Sequence, residues 1–378
     1  MKQFARKAIP IACVITAPFF VNADESLEAT PMLCAATKAT LANANGSKMN
    51  GKSESQSMMT PMTCQETGPM VSNWADPFIT ADFIYWKAEV DNLDYAYNGA
   101  AAVAEGTAST VEGHMHHPHF EYEPGFKVGF GLKFKHDGWD LFGQYTWLHV
   151  NKADTRSHAT GDSDELDILQ GTIVHNSNGD SEVFGSATAA WALKFNAVDL
   201  ELGRDFWVSK RLSLRPFTGM KFSWIHQDFD FDGDDVGEVD GINLDYDMSV
   251  KQSGVGLRSG LNTAFYMWNK WSVFGNLAVS GMLNDFNMHR KDKYQDEPAD
   301  EFTQLHVHKH SHPVTGILEF ALGLRFDTCF SNNRYKYMLE AGWENQVWFG
   351  QSPFLFLQSS TPGNLSFTGL TIKTGFYF

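Results

Sequence analysis

The sequence is poor in long apolar runs. A helix that crosses a membrane needs about 20 consecutive apolar residues, so a helical membrane protein is disfavoured. Basic residues are scarce as well: 29 Lys and Arg stand against 45 Asp and Glu, a formal net charge of -16. That balance argues against a nucleic-acid partner. Only four cysteines occur and none forms a CxxC pair, which disfavours zinc-ribbon and thioredoxin-type chemistry. What is abundant is aromatic and small: 30 Phe, 11 Trp, 11 Tyr and 32 Gly in 378 residues. Mean hydropathy is -0.29, the value of a soluble chain. Aromatics and glycine without long apolar runs suit strands whose two faces meet different solvents.

The first residues read as an export signal. Lys2, Arg6 and Lys7 precede the interrupted apolar stretch 8–21, and Val21-Asn22-Ala23 offers small or apolar residues before a cleavage site. We expect a signal peptide at 1–23 and a flexible periplasmic extension at 24–75, rich in Ala, Thr, Ser, Asn and Met. Three cysteines then remain: Cys34, Cys64 and Cys329. An odd number in an oxidising compartment leaves one free or joined to another molecule. All three are disulfide candidates, either as an intermolecular link or as a local Cys34–Cys64 loop beside a free Cys329.

From residue 76 to 378 the pattern has period two. In FKVGFGLKF (126–134) Phe126, Val128, Phe130, Leu132 and Phe134 share one face, with Lys127, Gly129, Gly131 and Lys133 on the other. Segments 211–222, 314–326 and 335–344 behave alike. Ten strands follow, at about 78–97, 119–135, 138–150, 186–206, 210–228, 243–266, 270–284, 305–327, 334–349 and 364–378. Short connections alternate with long ones at 98–118, 151–185, 229–242, 285–304 and 350–363. Such sorting is the layout of an outer-membrane antiparallel up-and-down barrel of ten to twelve strands. Trp139 and Trp147 bracket one apolar face, Trp207, Trp268 and Trp271 fall in short turns, and the chain ends on Phe378. A secreted all-β domain is the competing fold.

The strings ADFIYWKAE (81–89), PGFKVGFGLKF (124–134), WDLFGQYTWLH (139–149), VDLELGRDF (198–206) and LSLRPFTGMKF (212–222) resemble the Legionella-type major outer membrane protein family, which has relatives in chlamydia-related bacteria. The resemblance implies a pore-forming, surface-exposed barrel and offers no catalytic motif.

If the apolar face meets lipid, the opposite register lines the interior. That places Lys127, Lys133, Arg211, Arg215, Lys221, Arg325, Lys336 and Lys373 inside with Glu319, Glu340, Glu344, Asp199 and Glu201, and predicts a net basic wall. Two histidine clusters, at His114 and His116 (with His117 and His119) and at His306, His308, His310 and His312, have donors for a divalent metal. Exposed polar strand ends above the membrane are the plainer account, because no carboxylate or Cys partner is fixed by spacing. DFDFDGDDVGEVD (228–240) opens like a calcium loop with Asp228, Asp230 and Asp232, but Val239 stands where a bidentate Glu is needed, so an acidic solvated loop is the plainer account. No cofactor is expected beyond weak divalent binding in the outer loops.

The expected function is passive diffusion of small hydrophilic solutes or ions across the outer membrane. The alternative is a structural or adhesive surface protein with little conductance, and a remote one is a barrel hydrolase using Asp, Ser or His at the rim. Expected partners are outer-membrane lipid and lipopolysaccharide, the barrel assembly machinery through the Phe378 strand, and a disulfide-linked homo- or hetero-oligomer, with no nucleic acid.

Overall fold

The computed structural model describes residues 74–100, 113–135, 138–158, 167–172, 183–234, 242–268, 270–296, 302–331, 334–355 and 362–378. The expected signal peptide, the extension as far as residue 73, Cys34, Cys64 and Val239 lie outside the described residues.

Sixteen strands are described: β1 (Ala75–Val90), β2 (Ala96–Ala100), β3 (Gly113–His116), β4 (Tyr122–Phe134), β5 (Trp139–His158), β6 (Asp167–Gly171), β7 (Val183–Phe184), β8 (Ser186–Arg204), β9 (Phe206–Trp207), β10 (Leu212–Asp234), β11 (Ile242–Tyr266), β12 (Trp271–Asp296), β13 (Phe302–Ser311), β14 (Val314–Phe330), β15 (Tyr335–Ser352) and β16 (Gly363–Tyr377). Ten of them run antiparallel in the order β11-β10-β8-β5-β4-β1-β16-β15-β14-β12, and β12 pairs back to β11. The sheet is therefore a closed barrel in which each strand pairs with its neighbours along the chain. Closure between first and last strands is in register from Phe78 opposite Tyr377 to Val90 opposite Leu365.

Alternation decides which side of each strand meets lipid. Ile79, Phe83, Phe130, Leu141, Leu202, Leu257, Leu277, Val279, Phe320, Leu322 and Leu324 are all exposed on the outer wall. Large apolar side chains displayed all round a closed wall are stable only against lipid. Among the described residues no helix is long and apolar enough to cross a membrane, so the strands do the crossing. Trp139, Phe206, Trp268, Trp271, Phe330 and Phe378 are exposed at the short-turn end, where an aromatic ring sits at the depth of lipid headgroups.

Strands at the other end overshoot the membrane. β11 and β12 have 25 and 26 residues, where about 9–11 suffice to cross. This corrects several expected boundaries. The segment expected as one strand at 305–327 is two, because Pro313, which has no amide hydrogen to donate, separates β13 from β14. β13 pairs with the outer half of β12, from Phe286 opposite Ser311 to Tyr294 opposite Phe302. The presumed acidic loop is also corrected. β10 continues through Asp234, with Phe229 and Phe231 buried inward. DFDFD is period-two alternation, which a strand satisfies and a calcium loop does not. The two longest connections carry β2, β3, β6 and β7, which form a separate small sheet in the order β3-β2-β6-β7. They add no strand to the barrel. Tyr95, Leu169 and Phe184 from this sheet and its flanks join the same core cluster as Phe231 and Tyr246 of the barrel.

Candidate functional site

The interior of the barrel holds the chemistry, and it is layered. Toward the short turns lies a belt of charge. Lys127 Nζ of β4 meets Glu344 Oε1 of β15 at 2.7 Å, although β1 and β16 intervene. Lys221 of β10 meets Asp199 of β8 at 2.8 Å and Glu319 of β14 at 3.3 Å. Arg258 of β11 is held by Glu319 Oε2 at 2.8 Å and by Glu201. Arg215 reaches Asp140 at 2.5 Å and Glu201 at 2.9 Å. Nearer the turns, Lys336 pairs with Asp327 at 3.0 Å, Arg325 with Glu340, and Lys133 with Asp205 at 3.0 Å. Lys373 stands in register between Asp82 and Glu340, with its ammonium over the Phe142 ring. Side chains of non-adjacent strands meet in this way only by pointing into the lumen.

Arg211 is the exception. It lies exposed in the turn before β10, off the wall. The expected net basic wall is corrected too. Asp76, Asp82, Asp140 and Asp327 also face inward and offset the cations. Arg258, Asp82 and Asp140 had escaped sequence reasoning. Arg258 stands alone in GVGLRSGLN, a stretch of small residues with little contrast between faces.

Above the belt is a polar layer. Gln252 donates to Ser223 Oγ at 3.0 Å and to Asn284 Oδ1 at 2.6 Å, and Asn284 donates to Thr315 Oγ1 at 2.6 Å. Along the inner face of β12, Ser272 Oγ, Asn276 Oδ1 and Ser280 Oγ are shielded and have no protein hydrogen-bond partner, as is Thr80 Oγ1 on β1. Buried polar groups without protein partners are the places where folded proteins hold ordered water.

The far half is apolar. Trp86, Phe195, Trp348 and Phe367 pack ring against ring, with Phe195 at 5.2 Å from Trp348 and 4.7 Å from Phe367. Lys127 and Lys221 lie over the Trp86 and Trp348 rings, at 4.5 and 5.4 Å, where belt meets plug. At the outer end Gly350 adopts φ +61°, the left-handed conformation that glycine adopts without strain. The chain then turns inward. Gln227 donates to the Gln351 carbonyl at 3.1 Å, Ser352 donates to Gln227 Oε1 at 2.8 Å, and Phe354 packs on Phe229 at 5.9 Å. Arg290, paired with Asp292 at 2.7 Å in full burial, donates to the Leu355 carbonyl at 2.8 Å. Residues 351–355 are thus a strap pinned inside the mouth.

The other candidates lie elsewhere. His114 is exposed on β3, and His116 bonds Asn98 within the small sheet. His306, His308 and His310 project from one face of β13, while His312 follows it and meets Asp285 at 3.4 Å. His289 of β12, unnoticed in the sequence, stands opposite His308. Some burial and then the charges of His308, Lys251, His306 and His310 hold its imidazole below the ordinary value. Asp228, Asp230 and Asp232 face outward on β10, with Asp228 at 3.0 Å from His226. Among the described residues no three His, Cys, Asp or Glu side chains surround a common point as metal ligands. Cys329 is free and exposed next to the end of β14 rather than within the turn.

A search of curated proteins gave no match. Among solved structures, a Pseudomonas aeruginosa FadL homologue aligns at 8% identity and TM-score 0.22 over 83% of this chain and 93% of its own. The Pseudomonas putida toluene transporter TodX aligns at 7% and 0.20 over 84% and 93%, and the outer membrane channel DcaP of Acinetobacter baumannii at 8% and 0.15 over 80% and 96%. At such scores nothing of their transport carries over. The sequence comparison is of another kind: the family model described as Legionella pneumophila major outer membrane protein precursor matches residues 68–378, every strand of the barrel included. This chain belongs to that family of outer-membrane proteins.

Proposed function

We propose that the protein is a narrow channel for passive passage of small hydrophilic solutes or ions, and that this is its closed conformation. The observation that supports this is the stripe of shielded polar groups without protein partners, Ser272, Asn276 and Ser280, running beside the charged belt. A barrel serving only as a wall gains more from apolar filling. Buried ion pairs rarely stabilise a fold beyond what hydrophobic residues of equal volume provide, so the belt is better explained by what it does to ions. Arg258 has three acids within reach, Glu319, Glu201 and Asp199, and Lys221 shares Glu319 and Asp199 with it. Exchange among these partners opens a path without leaving a charge alone. The aromatic plug and the strap at 351–355 close the far end.

Planar-bilayer recording is the test. Wild-type protein is expected to give small, infrequent openings, and Phe354→Ala, which frees the strap, more frequent ones. Silence from both overturns the channel. The packed plug favours a second reading, a structural or adhesive surface protein, which that silence would support. Large steady conductance in the wild type would overturn the closed state. Phe378, exposed just beyond the terminal strand β16, supports recognition by barrel assembly machinery. Exposed Cys329 supports disulfide-linked oligomers.

A further inference from the structure

Beyond the membrane the sheet of β12 and β13 presents imidazoles in two adjacent rows. His289 stands directly opposite His308. Their ring centroids are 4.3 Å apart, and His306 lies 4.5 Å from His308 on the same face. We infer that this outward face chelates one divalent late transition-metal ion, Zn²⁺, Ni²⁺ or Cu²⁺, through His289 and His308.

Imidazole is a preferred donor for these metals. Zn–N bonds of about 2.0–2.1 Å put two nitrogens of one tetrahedral ion about 3.3 Å apart. The two rings now meet edge to face, interplanar angle 84°. Rotation about their side-chain torsions turns a nitrogen of each toward a common point, with no shift of the backbone. Opposed residues on antiparallel strands have fixed Cβ spacing, so the pair is preorganised as a lone histidine is not.

Neighbouring residues choose which histidines serve. His306 stands opposite Lys291, whereas His289 and His308 stand opposite each other and can share one ion. His310 stands opposite Asn287. The Asn287 Oδ1 is shielded from solvent and accepts no hydrogen bond. Two imidazoles and water complete the ion. Hard, oxygen-seeking Ca²⁺ and Mg²⁺ are excluded by the same donor set.

The test is calorimetric titration of refolded full-length protein in detergent with ZnCl₂ or NiCl₂, the fold of each variant checked by heat-modified gel mobility. One equivalent is expected to bind. His289→Ala and His308→Ala should each weaken it at least tenfold, and His310→Ala less than threefold. A His114→Ala/His116→Ala double variant should bind as the wild type does. With Cu²⁺, the electron paramagnetic spectrum should show coupling to two imidazole nitrogens and lose it in His289→Ala. Absence of binding, binding that survives His289→Ala and His308→Ala, or binding lost with His114 and His116 overturns the inference.

Discussion

The two halves of the barrel interior are both shut off from bulk solvent, but they are filled in opposite ways. The half near the short turns is a lattice of ion pairs, in which Lys221, Arg258 and Glu319 each have more than one partner within reach. The other half is an aromatic core around Trp86, Phe195, Trp348 and Phe367. An apolar core is held by shape and tolerates few rearrangements. A charge lattice has several pairings of similar energy. The first half therefore offers alternative states, and the second decides whether a path through them leads anywhere.

The comparison breaks most sharply under single and paired substitution. Glu344→Ala strands Lys127 inside the wall and should destabilise the barrel by about 3–5 kcal/mol, whereas Lys127→Met with Glu344→Met should recover most of that loss. Trp348→Ala in the plug should also lose about 3–5 kcal/mol, with no second substitution restoring it by charge balance. Guanidinium unfolding followed by tryptophan emission measures the pair, and thermal gel shift the plug variant. If Glu344→Ala is mild, the belt is wetter than its burial implies.

On the outer wall, Phe130→Arg should cost about 2–4 kcal/mol by placing a cation in lipid, read as the fraction assembled in outer membranes. Gly350→Ala meets no atom closer than 3.8 Å, so its cost is the left-handed backbone alone, about 1 kcal/mol. Its sharper signature is more frequent channel opening as the strap loosens.

The smallest effect concerns the outer hairpin. The pKa of His289 in the fold lies below its ordinary value of 6.5, so the unfolded chain binds the proton more readily. The stability tied to neutral His289 is full above pH 6.5 and is lost as pH falls through the lower folded value. Amide exchange across residues 302–311, corrected for its intrinsic rate, should quicken between pH 7 and pH 5 in the wild type and less so in His289→Ala.

Much of the wall was legible because alternation is local. FKVGFGLKF and YKYMLEAGWE declare both faces, and Phe130 lies outside while Lys127 and Glu344 point in. DFDFD shows the same alternation, hidden by its likeness to a calcium loop. The outer half of β12, with its charged HRKDKYQD, resembles a loop to any rule that expects apolar strands. It is a strand because β11 and β13 pair with it on both sides, information that resides in other segments. Arg258 and His289 were missed for a related reason. Arg258 sits among small residues and His289 borders a charged run, and each acquires meaning only from what stands across from it.

By itself, then, the sequence determined that strands of period two would form, which face of most would meet lipid, and that the chain would form a barrel of ten to twelve strands with its longer connections at one end. Each of these follows from side-chain polarity over a few consecutive residues. The tertiary structure alone decided that Lys127 meets Glu344 across two intervening strands, that Arg258 lies between Glu201 and Glu319, that the strap turns inward at Gly350, and that His289 faces His308. Those partnerships depend on the stagger with which ten strands close. Stagger is a property of the whole ring, fixed when the last strand pairs with the first, and no single segment encodes it.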